Sequence, residues 1–155
     1  MSFNAATFFV DRHVTEGRGA RPAFRHGGRT LTCAGVAEAV NRAGQALAGL
    51  GLEIEQRVLL ALDDSPAFVA TFWGAAKLGA VAVPVNTSMR SEEYAFLLED
   101  SRARIVVAEP PVAETIRSVS TSSPWLRAVT NPSPLPDQRR GITSHPEVRR
   151  KRLVL

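Results

Sequence analysis

A single cysteine, Cys33, stands in the 155 residues, so no disulfide can close within the chain. That excludes a cross-linked secreted scaffold and fits a reducing, cytoplasmic setting. Aromatic residues are scarce, at 6%, and Ala, Val and Leu supply most of the apolar content, a composition suited to helices packed on a sheet of small aliphatic side chains. No apolar run is long enough to cross a membrane. The longest nearly uncharged stretch, Ser65 to Val85, is interrupted by Pro66, Lys77, Gly79 and Pro84 and reads as a helix followed by a buried strand. Met1 to His13 lacks the basic start and apolar stretch of a secretory leader. The first 130 residues also carry no excess of charge, with 13 basic and 13 acidic side chains; the net +4 lies wholly in residues 131–155. The charge therefore describes a tail rather than a basic domain face, which argues against a nucleic-acid-binding domain.

What is present is periodic. Asn4 can cap a helix to about Glu16, stopped by Gly17-Arg18-Gly19. Ala23-Phe24-Arg25 and Arg29 to Thr32 flank His26-Gly27-Gly28 and predict a small hairpin. Thr32 can cap a helix whose stripe is Val36, Val40, Ala43, Leu47 and Leu50, ended by Gly51. Arg57 to Leu62, Val81 to Val85, Ile105 to Ala108 and Leu126 to Thr130 predict four strands, the first three buried on both faces. Between them lie helices expected at 67–78 (opened by Asp63-Asp64-Ser65-Pro66 and ended by Gly79), 92–101 (opened by Ser91) and 112–119 (after Pro110-Pro111). Strands alternating with single helices form the βαβ pattern. The expected fold is α/β: a partial doubly wound parallel sheet with helices on both faces, in residues 1–130.

Asn131 to Leu155 breaks this pattern. It holds Pro132, Pro134, Pro136 and Pro146 and shows no apolar periodicity before Leu153, so a disordered, basic, proline-rich tail is expected. It reads as sequence from a shifted frame or a decayed gene, or as a genuine basic tail.

Few side chains suggest chemistry. Asp63 and Asp64 sit where a strand meets its helix, a place where α/β sheets bind ligands, although capping and helix-dipole complementarity account for them more simply. Asn86 to Arg90 follows a strand and can line a pocket or merely connect. Gly27-Gly28 is too short for a phosphate loop. His13, His26 and His145 share no metal-ligand spacing with one another or with Cys33. Cys33 lies in a helical stripe and reads as a buried thiol, not a nucleophile. Arg149-Arg150-Lys151-Arg152 can bind an anionic surface but reads first as a solvated terminus.

Several stretches resemble one family. They are Leu31 to Val36, Asn41-Arg42, Leu50-Gly51-Leu52, Arg57 to Phe68, Glu93-Tyr94, Leu97 to Ala103 and, most specifically, Phe72 to Thr87. Together they resemble the opening of adenylate-forming acyl-CoA synthetases. Phe3 to Ala6, Asp11-Arg12-His13 and Glu16 to Gly19 are similar to benzoate-CoA ligases in particular. The resemblance covers about residues 3 to 130; one departure is Cys33, where the family usually has Tyr. It implies a carboxylic acid, benzoate or a similar aromatic, activated by ATP and magnesium to an acyl-adenylate and then passed to coenzyme A. That chemistry needs a Ser/Thr/Gly-rich phosphate loop with a Lys, and none is present: Ser118 to Ser123, nearest in composition, has neither Gly nor Lys. The lysine of the family's C-terminal domain has no counterpart either. No catalytic, cofactor-binding or metal residue is carried over, and this chain alone is expected to bind no cofactor. Three readings follow: a ligase portion without activity of its own, a stand-alone doubly wound binding or regulatory module, or the non-functional product of a truncated gene with apolar surface exposed along an open sheet.

Overall fold

The computed structural model describes residues 3–120 and 123–132. A short π-helix (Thr7–Asp11) leads into α1 (Arg12–Thr15). Next come β1 (Pro22–His26), β2 (Arg29–Thr32), α2 (Cys33–Gly49), β3 (Arg57–Ala61), α3 (Pro66–Lys77), β4 (Val81–Pro84), α4 (Ser91–Ser101), β5 (Ile105–Ala108), α5 (Pro110–Val119) and β6 (Ala128–Thr130). β1 and β2 form an antiparallel hairpin, and the other four strands make one parallel sheet in the order β4-β3-β5-β6.

The alternation of side chains along β3 builds both halves of the core. Val58, Leu60 and Leu62 turn to one face, where they meet Leu47 of α2 and Ala75 of α3. Leu59 and Ala61 turn to the other, against Tyr94 and Leu98 of α4 and Ala113 and Ile116 of α5. The expected doubly wound arrangement is therefore present. From β3 the chain moves outward to β4 through α3 on one face; from β5 it moves outward to β6 through α5 on the other. The winding reverses between β3 and β5.

The local signals are met in detail. Thr32 Oγ1 accepts the Gly35 N–H at 3.1 Å to open α2. Ser65 Oγ accepts the Phe68 N–H at 3.2 Å and Pro66 fills the first helical position of α3, where its missing N–H costs nothing. Gly51 (φ +83°) and Gly79 (φ +75°) take the left-handed conformation that ends α2 and α3.

Three expectations change. Val81–Pro84 is an edge strand, and Val81 is 47% exposed. An apolar run reports what a strand can bury, not which neighbours it receives; Pro84, which cannot donate to a ladder, suits an edge. Ser91 is the first residue of α4 rather than its cap, because the Glu93 carboxylate reaches back to the Arg90 N–H at 2.8 Å. Cys33 is half-buried rather than buried, since it stands in the first turn of α2 beside the hairpin. Residues 133–155, with His145 and Arg149 to Arg152, lie outside the described residues.

Two contacts hold the layer outside the sheet. α2 crosses α3 at Gly44 and Gly74. A Cβ on Gly74 would lie 2.7 Å from the Gly44 nitrogen and 3.1 Å from both Ala43 Cβ and the Val40 carbonyl oxygen. The N-terminal segment is pinned to the end of α3. Asn4 Oδ1 accepts the Ala6 and Thr7 N–H groups while its amide donates to the Ala76 and Lys77 carbonyls. Lys77 Nζ donates to Asp11 at 2.7–2.8 Å and to Asn41 Oδ1 at 2.7 Å. A chain of ring contacts from Phe8 and Phe9 through Trp73 to Phe72 continues this junction, with Phe9 still 55% exposed.

Gly74→Ala is expected to destabilise the chain by about 1–3 kcal/mol through overpacking. Gly49→Ala, where a Cβ meets nothing within 4 Å, should be neutral or stabilising by about 0.5–1 kcal/mol. Urea denaturation of both variants checks this. A double-mutant cycle of Asp11→Asn and Lys77→Met should give a favourable coupling of about 1 kcal/mol that shrinks in high salt.

Candidate functional site

The carboxyl ends of the strands gather the polar side chains singled out in the sequence. In open α/β sheets ligands bind outside these ends, at the point where the winding reverses. Here that point lies between Leu62-Asp63-Asp64-Ser65 after β3 and Glu109-Pro110 after β5, with Asn86-Thr87-Ser88 after β4 on one side. Backbone bonds seat the loops. Val85 N–H donates to the Leu60 carbonyl and Glu109 N–H to the Ala61 carbonyl, each at 3.0 Å.

The structure brings Asp63 together with the 86–90 loop. Thr87 Oγ1 donates to Asp63 Oδ1 at 3.0 Å. Neither aspartate caps α3, because Ser65 performs that task; Asp64 is exposed and makes no side-chain bond among the described residues. Asn86 Oδ1 accepts the Ser88 N–H at 2.8 Å, which turns the loop. From below, the Tyr94 hydroxyl donates to the Asn86 carbonyl at 2.8 Å. Tyr94 is one of the largest fully buried side chains. Burial raises its pKa above the ordinary 10.0, the Glu93 carboxylate adds to the shift, and the Met89 backbone opposes it. The sequence offered Glu93-Tyr94 only as part of a resemblance. That Tyr94 supports the 86–90 loop follows from α4 folding back under that loop, which no local pattern signals.

Asp63 and Asp64 are exposed, and among the described residues no three His, Cys, Asp or Glu side chains converge for a metal. These residues do not by themselves fit a magnesium–nucleotide complex. His13 instead accepts a hydrogen bond from Arg18 at 3.2 Å, far along the chain from the edge, and His26 lies in the hairpin. A cavity of about 50 Å³ between α2, α3 and β5, bordered by Arg42, Ala46, Ala70, Thr71 and Val107, has room for a few waters but not for an aromatic acid. Among the described residues no helix is long and apolar enough to cross a membrane.

Tyr94→Phe should cost about 1 kcal/mol and speed amide exchange in the 86–90 loop. Because the native pKa is raised, the contribution of Tyr94 is fully present below about pH 10 and is lost as pH rises through the native value. The variant should therefore lose less stability above pH 10 than the parent. Tyr94 is the chain's one tyrosine, so its absorbance titration reads the shift directly.

Known proteins share this arrangement. Residues 10–149 match the AMP-binding enzyme family, running past the boundary near 130 that the proline-rich composition suggests. The chain is 42% identical over 127 residues to a 4-hydroxybenzoate–CoA/benzoate–CoA ligase of Rhodopseudomonas palustris, covering 82% of this chain and 24% of that protein. Its structure is similar to that of an anthranilate CoA ligase in complex with anthranoyl-AMP, with TM-score 0.77 and 32% identity over 83% of this chain and 25% of that one. It is also similar to a benzoate CoA ligase from Burkholderia xenovorans, with TM-score 0.75 and 27% identity over 83% and 26%. The chain spans about a quarter of the length of these relatives. With the parallel sheet, the reversal point and the sequence match in agreement, the chain belongs to the AMP-binding enzyme family, among the adenylate-forming acyl- and aryl-CoA ligases.

Proposed function

We propose that this chain is the N-terminal portion of an aromatic-acid CoA ligase and that alone it turns over no substrate. The observation that carries this is the carboxyl edge. Asp63, Thr87 and Asn86 are joined into one shaped rim, yet among the described residues no phosphate-cradling loop and no cluster of metal ligands stands beside it. In the complete enzyme ATP and magnesium activate a carboxylate such as benzoate, and coenzyme A takes the acyl group. The Asn86 to Arg90 loop then forms one wall of the acid pocket. This portion contributes rigidity to that wall: the Tyr94 hydroxyl holds the Asn86 carbonyl and Thr87 holds Asp63. A cytoplasmic setting suits the lone, half-buried Cys33.

The test has two arms. Purified chain incubated with benzoate, ATP and coenzyme A should release neither AMP nor benzoyl-CoA. Residues 1–130 of this chain, joined to the remainder of the Rhodopseudomonas palustris ligase beyond the corresponding point, should form benzoyl-CoA. Acyl-CoA formation by the chain alone overturns the inactivity. A folded chimera that forms none overturns the assignment as a ligase portion.

A further inference from the structure

The opposite, amino end of the sheet carries a feature that the ligase reading does not use. Arg57 begins β3, Arg104 precedes β5 and Arg127 precedes β6. Their backbones are joined: Arg104 N–H donates to the Arg57 carbonyl at 2.9 Å, and Arg127 N–H to the Arg104 carbonyl at 2.8 Å. Three arginines thus stand side by side at the starts of three adjacent strands. Arg102 joins them from the left-handed residue that closes α4 (φ +52°). The guanidinium carbons of Arg102 and Arg104 lie 5.2 and 5.6 Å from the Trp125 ring centroid, and Arg104 Nη1 donates to the Trp125 carbonyl at 3.4 Å. Arg127 Nη1 donates to the Gly51 carbonyl at 3.2 Å.

None of these four guanidinium groups forms an ion pair among the described residues, whereas Arg12, Arg18, Arg42, Lys77 and Arg90 each do. Glu53 and Glu55 precede β3, and Glu99 and Asp100 end α4. All four are exposed; they lower the local charge without coming within 4 Å of the row, and Glu53 is bonded to Gln56 instead. Like charges on adjacent strands repel and cost stability when nothing lies between them. Trp125 fixes the Arg104 guanidinium, with that of Arg102 beside it, against a ring, so Arg104 has less side-chain freedom to lose when an anion arrives.

We propose that this amino edge binds a multiply charged phosphate anion, with Arg57, Arg104 and Arg127 as its ligands and Trp125 as the brace. A guanidinium fork matches phosphate oxygens two at a time. At the strand spacing of about 4.8 Å the backbones that carry the row span about 10 Å, a separation that suits a chain of phosphates better than a single one. The site is separate from the carboxyl edge, at the other end of the strands.

Isothermal titration of the full chain with tripolyphosphate should show saturable binding of one anion per chain that weakens as sodium chloride is added. Arg57 makes no side-chain bond among the described residues, so Arg57→Gln should retain the circular dichroism and melting of the parent while weakening binding by about tenfold or more. Arg21→Gln, at an exposed arginine before the hairpin, should leave binding unchanged, and orthophosphate should bind less tightly than tripolyphosphate. The proposal is overturned by the absence of saturable heat, by equal losses in the Arg57 and Arg21 variants, or by orthophosphate binding as tightly as tripolyphosphate.

Discussion

Everything in this chain depends on one strand being dry on both sides. Val58, Leu59, Leu60 and Ala61 of β3 have no exposed surface. Each large side chain there contributes roughly 1.5–3 kcal/mol through burial. β3 is also the strand on which both β4 and β5 pair, so its register sets theirs. Its even-numbered residues call for α2 and α3, and its odd-numbered residues for α4 and α5. A one-residue slip would exchange the two sets and leave neither face matched.

The close helix crossing follows from that burial. α3 has to lie flat over β3, and α2 reaches the same face only by passing close across α3. Gly44 and Gly74 make that approach possible, since a side chain at Gly74 would collide with the α2 backbone. The Asp11–Lys77–Asn41 group then ties the N-terminal turn to the end of α3. The rigid middle leaves the two ends of the sheet free to differ. At the carboxyl end Thr87 and Tyr94 shape a loop against Asp63. At the amino end the backbone sets arginines beside one another, and among the described residues no carboxylate comes within 4 Å to meet them.

Most of the fold was legible because its signals are local. The α2 stripe, the Thr32 and Ser65 caps, the Gly51 and Gly79 stops and the strand–helix alternation each depend on residues a few positions apart. Two of the errors share one origin. Val81 to Pro84 is as apolar as a central strand, and only the order of the strands makes it an edge. Asp63 looked like a capping residue because its nearest neighbour in sequence is a helix start, whereas its partner Thr87 comes from the next strand's loop, 24 residues on. The carboxyl edge could be suspected from Asp63 and Asn86, but the support from Tyr94 could not.

The sequence by itself determined the element types, the two-sided burial of β3 and the family, because short-range periodicity, capping chemistry and residue identity need no partner to be read. The tertiary structure alone decided the strand order, the place between β3 and β5 where the winding reverses, the Gly44–Gly74 crossing and the neighbours of Asp63 and Arg104. Each of these is a contact between residues far apart in the chain. Such contacts are selected by how whole faces pack, not by what any one segment prefers.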